Sequence, residues 1–251
     1  MRNLKLGTAI LFICFGGFSA HADEAISVKV GYASLTASGD LSATGLGIPG
    51  TTLSDATLSL GRSNNVTAEV ALQLGDSRFS ASYLPLKFNG TSTLATNINF
   101  NGQTFTVGTP VSSELKADII DIAYTYYLVN MDDAPSRLQL GIEASVKYIR
   151  ADTSLSGAGV TKTASANIPL PTIGVRGRVA LADFIGVTAR VGYIGYSGNR
   201  FLDADAQLEF SPLPTLGIYA GYRYIDVKVD SSGVALNAKF TGPYAGAFFR
   251  F

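Results

Sequence analysis

The chain of 251 residues contains one cysteine, one histidine, two methionines and no tryptophan. Charged residues make up only 15% of it, and the only long uninterrupted apolar run is Leu6–Phe18, LGTAILFICFGGF. Each scarcity excludes something. With one cysteine no intrachain disulfide can form, and a run this short cannot cross a bilayer as a helix, which takes about 20 residues. Arg2 and Lys5 precede the run and Ala20-His21-Ala22, an A-x-A pattern, follows it. Residues 1–22 are therefore expected to be a cleaved secretory signal peptide and residues 23–251 a single mature domain. A lipid anchor on Cys14 is not expected, because bulky Ile13 stands where a small residue is needed.

Cys14 and His21 both lie in that leader, so the mature chain has neither thiol nor imidazole. That rules out Ser-His-Asp hydrolysis, thiol chemistry, Cys/His zinc sites and haem ligation by histidine. No enzymatic activity, cofactor or metal is expected. Removing Arg2 and Lys5 leaves 17 basic against 19 acidic residues, a net charge of −2. Nothing concentrates positive charge as nucleic-acid binding requires.

What is present is alternation. Ile26, Val28, Val30 and Tyr32 share one face of Ile26–Ala33, opposite Ser27, Lys29, Gly31 and Ala33. Val66–Leu74 and Arg137–Tyr148 repeat the pattern. A period of two is the mark of a strand between two different environments. Seven further segments read the same way: Arg78–Phe88, Ile119–Leu128, Thr172–Val179, Gly186–Tyr196, Phe201–Phe210, Leu216–Tyr224 and Ala238–Phe251. The count is ten strands, with eight as the alternative because Phe201–Phe210 and the segment around Pro85 are less regular. Pro85 predicts a bulge or a strand end.

The connections alternate in length, with Ser197–Arg200 alone breaking the pattern. Gly75–Ser77, Val129–Ser136, Ala180–Phe184 and Ser211–Thr215 are short. Thr36–Asn65, Asn89–Lys116, Ala151–Pro171 and Val227–Asn237 are long, rich in Gly, Ser, Thr and Asn, and expected to be loops. Asn101-Gly102, the preferred pair for a type I′ turn, predicts a small hairpin inside the second of these.

Such strands close into an antiparallel up-and-down β-barrel, which removes exposed sheet edges. Periodicity alone fits both a soluble barrel with apolar residues inside and a transmembrane barrel with them outside. Strands of nine to eleven residues, the short/long loop rhythm, and rings at strand ends on the apolar face (Tyr32, Tyr124, Tyr126, Tyr148, Tyr193, Tyr222, Tyr224, Phe210) favour the membrane. In the closing GPYAGAFFRF, alternate residues Pro243, Ala245, Ala247, Phe249 and Phe251 carry no charge. A terminal Phe on such a strand resembles the C-terminal signal of bacterial outer-membrane proteins, so Phe249 and Phe251 are expected to act in barrel assembly.

The segments VSSELKADIIDIAYTYYL, LDADAQLEFSPLPTLGIYAGYRYIDVKV and FTGPYAGAFFRF resemble a family of small Gram-negative outer-membrane β-barrel proteins. The resemblance is strongest from Leu115 onward and centres on a G-Y-R-Y strand and a G-P-Y…F closing strand. It implies a location in the cell outer membrane. Outer-membrane lipids, and the barrel-assembly machinery during biogenesis, are the implied partners. It implies no activity.

In that orientation the polar face becomes the lumen. Lys29, Glu69, Asp121, Glu143, Lys147, Arg176, Arg178, Arg190, Asp203, Asp205, Glu209, Arg223 and Arg250 are placed there, with mixed signs and no selectivity cue. Charges in a narrow barrel must pair, which predicts an ion-paired plug. The alternative is a narrow polar conduit in which Arg176, Arg178, Arg190 and Arg223 favour anions. Asp203 and Asp205, roughly 7 Å apart at strand rise, are expected to pair with arginines rather than to catalyse. SELK (Ser113–Lys116) and GLGIPG (Gly45–Gly50) match catalytic and phosphate-loop patterns only in form. The expected role is structural or surface-interacting, through the loops at 36–65, 89–116 and 151–171. A narrow channel for small solutes is the second reading. A barrel enzyme using Asp203 and Asp205, and a soluble lipid carrier, are the remaining two.

Overall fold

The computed structural model describes residues 25–42, 52–54, 60–131, 137–182, 184–196, 199–213, 215–231 and 234–251. The expected leader and GLGIPG lie outside them. The described elements are strands: β1 (Ile26–Ser42), β2 (Thr52–Ser54), β3 (Arg62–Leu74), β4 (Ser77–Thr93), β5 (Ile98–Phe100), β6 (Gln103–Phe105), β7 (Pro110–Met131), β8 (Leu138–Gly157), β9 (Val160–Ala182), β10 (Ile185–Tyr196), β11 (Asn199–Phe210), β12 (Leu216–Ser231) and β13 (Val234–Arg250). Ten of them, in the order β1-β3-β4-β7-β8-β9-β10-β11-β12-β13, form an antiparallel up-and-down barrel that closes by pairing β13 with β1. The ten-strand expectation holds, and the eight-strand alternative does not. At the seam Ile26 and Phe251 exchange backbone hydrogen bonds of 3.0 and 2.9 Å.

One end of the barrel, here the terminus end, carries Ile26 at the start of β1, Phe251 and the tight Gly75-Asp76 turn. At the other, distal end, two groups of strands outgrow β3, β10 and β11: β4, β7, β8 and β9 form a four-stranded extension, and β12, β13 and β1 stay paired to Ser231↔Val234 and Ser42↔Ala235. The β4–β7 ladder runs unbroken from Ser77↔Tyr126 to Thr93↔Pro110. The β8–β9 ladder continues to Gly157↔Val160, around a turn at Ala158-Gly159. Ala151–Pro171, expected as a loop, is therefore strand. So are the flanks of the expected loops 89–116 and 227–237.

Proline explains why the sequence read as loop there. Pro85 lies within β4 and leaves the pairing to β7 intact, so neither a bulge nor a strand end occurs on that side. On the other side the β3–β4 ladder stops at Ala68↔Tyr83, two residues earlier. Beyond it the Ser63 hydroxyl accepts the Lys87 N–H at 2.8 Å. Pro169 and Pro171 lie in the part of β9 that has outrun β10, whose ladder ends at Tyr193↔Ile173. The two edge strands of the four-stranded extension thus each carry proline where the ladder to the next strand has ended, and proline lacks the N–H a further strand would need; past Pro85 the β4 edge keeps one backbone bond, from the Gly61 N–H to the Asn89 carbonyl at 3.1 Å. Asn101 and Gly102 both have positive φ (47° and 75°), the type I′ turn expected of the β5–β6 hairpin.

The two faces change chemistry along the strands while the register does not slip. On β7, Leu128, Tyr126, Tyr124, Ile122 and Ile120 point outward and are exposed, while Thr125, Ala123 and Asp121 point inward and are buried. Past Ile119-Ile120 the assignment inverts: Asp118, Lys116 and Glu114 lie outside, and Ile119, Ala117 and Leu115 inside. The same switch falls at Tyr148-Ile149 on β8, Tyr83-Leu84 on β4 and Tyr224-Ile225 on β12. An apolar doublet marks each crossing, because the last outward apolar residue adjoins the first inward one.

The outward apolar stretch on β8 runs from Leu138 to Tyr148. At about 3.4 Å per residue and a tilt of about 40° this spans roughly 26 Å, the height of a membrane-barrel apolar band. Tyr83 sits at its distal rim and donates its hydroxyl proton to Asp118 at 2.8 Å. Phe79 against Tyr124 (5.0 Å) and Phe184 edge-on to Phe210 (5.9 Å) lie nearer the terminus end. Phe249 and Phe251, about half exposed, face outward there.

Candidate functional site

The lumen is filled in two storeys. The distal storey is apolar. Leu35, Leu84, Leu86, Phe88, Leu155, Phe201, Ile225 and Phe240 line it from the wall, and Leu94, Ile98, Phe100 and Phe105 join from the segment bearing the β5–β6 hairpin. Phe88 stacks on Phe240 at 5.5 Å. Each such side chain contributes about 1.5–3 kcal/mol through burial.

The storey within the apolar band is charged. Period-two strands put Lys29 (β1), Glu69 (β3), Asp121 (β7), Glu143 and Lys147 (β8), Arg176 and Arg178 (β9), Arg190 (β10), Asp203, Asp205 and Glu209 (β11), Arg223 (β12) and Arg250 (β13) on the lumen face. Asp203 is the hub. Arg223 holds it with two bonds of 2.8 and 3.0 Å, Lys147 lies at 2.9 Å and Arg190 at 3.5 Å. Lys147 also bonds Asp121, and Arg190 reaches Asp121 (3.0 Å), Glu143 (3.8 Å) and Asp205. Arg176 meets Glu143 at 3.5 Å, and Thr125 donates to the same carboxylate at 3.0 Å. The Tyr244 hydroxyl donates to Asp205 at 3.0 Å.

Toward the terminus end a second centre forms on Glu209. Lys29 (3.0 Å), Arg178 (3.6 Å) and Arg250 all pair with it, and Gln207 donates to it at 2.7 Å. Arg78 pairs with Glu69 at 2.9 Å. Arg78 was not among the residues expected from sequence, although it shares the parity of Ser80 and Ser82 in its strand. Tyr219 was also missed. Its ring lies over the paired glycines Gly31 and Gly246, where a Cβ on Gly246 would meet the Tyr219 hydroxyl at 2.7 Å. Lys29 sits 5.4 Å from that ring.

The balance of signs differs from the sequence reading. The network holds eight cations, Lys29, Arg78, Lys147, Arg176, Arg178, Arg190, Arg223 and Arg250, against six carboxylates, Glu69, Asp121, Glu143, Asp203, Asp205 and Glu209. The acids crowd around Asp203, and cations outnumber them near Glu209. Asp203 and Asp205 are both engaged by Arg190, the arginine pairing expected of them.

No protein-family model matches the chain, and no curated protein matches it. Among solved structures, Ail, the attachment invasion locus protein of Yersinia pestis, is 12% identical at a TM-score of 0.39, covering 91% of this chain and 100% of its own. Neisserial surface protein A is 15% identical at 0.42, covering 90% and 97%. The translocator domain of the autotransporter NalP from Neisseria meningitidis is 11% identical at 0.44, covering 92% and 90%. These values mark distant likenesses between barrels and assign no role to the present chain.

Proposed function

We propose that the chain is an integral outer-membrane β-barrel, exported on a leader peptide, whose distal extension serves as a surface interaction platform. The observation that carries this reading is the inversion of polarity along β4, β7, β8 and β12. A band of about membrane height is apolar outside and ion-paired inside, and the strands beyond it are polar outside and apolar inside. A water-facing module is thereby held on a lipid-facing base. Outer-membrane lipids contact the band, and the outward face of Phe249 and Phe251 is offered to the barrel-assembly machinery. The role is non-enzymatic.

Fractionation tests the base. The protein is expected to resist buffer washes, to extract only in detergent, and to run faster unheated than heated on a semi-native gel. Extraction into buffer with no mobility shift would sink the reading. On intact cells, added protease is expected to cut at the Ala158-Gly159 turn and leave the band.

A narrow passive conduit is the second reading. It is favoured by two small cavities, about 60 and about 30 Å³, between the charged lumen residues. Planar-bilayer recording separates the two. A silent bilayer supports the plug, whereas reproducible openings whose selectivity changes in Arg176→Ala or Arg190→Ala replace it with the conduit.

A further inference from the structure

We propose that the terminus end of the lumen is a binding site for a single small inorganic anion of halide size. The cavity there measures about 30 Å³ and is lined by Lys29, Arg78, Arg176, Arg178, Arg250 and one carboxylate, Glu209. Its wall therefore carries a surplus of positive charge in a place largely shielded from water, five cations facing Glu209, with Glu69 and Glu143 pairing Arg78 and Arg176 from outside the lining. Buried charge of one sign is costly unless a counter-charge sits against it. Glu209 is already shared by Lys29, Arg178 and Arg250, while Arg78 and Arg176 face the same space from β4 and β9.

Two donor atoms sharpen the assignment. Thr188, 4% exposed, lines this cavity, and among the described residues its hydroxyl has no hydrogen-bond partner. The same holds for Nε of Arg78. Arg176 meets Glu143 at 3.5 Å, longer than the usual 2.7–2.9 Å of a charge-assisted bond, so its guanidinium is not tightly committed. A hydroxyl, an Nε–H and a guanidinium converging on one small space are donors in search of an acceptor. Size selects the class. A water needs about 10–15 Å³ of such volume, so the cavity has room for about two waters or one chloride, and not for a sulfate or phosphate with its oxygens.

The site is separate from the surface role proposed above, and its test does not depend on that role. The full barrel, purified in detergent, is unfolded thermally while sodium chloride replaces sodium gluconate at constant ionic strength. Screening is then the same throughout, so only specific binding moves the midpoint. The expected result is a saturable rise, which Thr188→Val shifts to about tenfold higher chloride, since one charge-assisted hydrogen bond is lost. Arg150→Gln, on the exposed outer face of the extension, should titrate like the parent. Superimposable curves in chloride and gluconate overturn the proposal, as does a Thr188→Val titration identical to the parent's. Crystals grown in bromide give the answer without any variant. An anomalous peak among Arg78, Arg176 and Thr188 establishes the site, and the lack of one there overturns it.

Discussion

Within the membrane-height band, β7 hides Asp121 and Thr125 and displays Ile122 and Tyr124. A few residues further, on the same strand in the same register, it hides Ile119 and Leu115 and displays Asp118 and Lys116. The backbone does not distinguish the two regions; the surroundings do. On the proposed reading the outside of the band is hydrocarbon, so apolar side chains leave water by facing out and polar ones satisfy each other within. In the extension the outside is water, so the ordinary soluble arrangement returns and Phe88, Leu115 and Phe240 form a dry interior. The two barrel types that periodicity alone leaves open are stacked in one wall. Cohesion differs accordingly. The band is held by directional, mutually dependent ion pairs, and the extension by non-directional burial.

That contrast can be tested by mutation. The largest effect is expected at the hub of the charged storey. Asp203→Ala leaves Lys147, Arg190 and Arg223 facing one another without their shared carboxylate, at a cost of about 3–5 kcal/mol. Urea unfolding of the folded barrel, or loss of its heat-modifiable form, measures it. Phe88→Ala opens a cavity opposite Phe240 and should cost about 3 kcal/mol. Its signature is local, with faster proteolysis of the extension while the band keeps its gel mobility. A conventional loss of all structure together would show that the two storeys are one cooperative unit.

Outward substitutions should respond oppositely in the two regions. Ile142→Lys, near the middle of the band, is expected to destabilise the folded barrel in bilayers by about 2–4 kcal/mol. Lys116→Leu in the extension should leave stability unchanged and lower solubility. Equal responses would remove the boundary at Ile119-Ile120. The smallest effect belongs to Glu114, a half-buried carboxylate at the outer surface that Lys116 holds below its usual pKa by hydrogen bonding at 2.6 Å. A depressed carboxylate stabilises above its unfolded-state pKa and loses that contribution as pH falls. That contribution is present in full at neutral pH, yet Glu114→Gln should leave no resolvable change there, because such surface pairs contribute little.

Much of this was legible in particular residues. The parity of Lys29, Glu143 and Arg190 against Val30, Ile142 and Val191 gave the wall and its two faces, since a strand repeats every two residues whatever surrounds it. The extension was not legible. Pro169 and Pro171 in NIPLPTIG read as breakers, and only the sheet shows that β10 has already ended beside them. The apolar doublets are a usable signal for the height of the boundary, although within an alternating run each looks like one more pair of strand residues.

The sequence by itself determined a wall of alternating strands with two chemically different faces, ten by first count, and the aromatic closing segment, because these follow from local alternation; which face is inside, and the number ten over eight, needed the closed sheet. Only the tertiary structure decided which charges meet. Asp203 joins Lys147, Arg190 and Arg223 from three other strands, and Arg78 reaches Glu69 across a turn. Strand tilt and ladder register set those distances, and neither is written in the spacing of residues along a single strand.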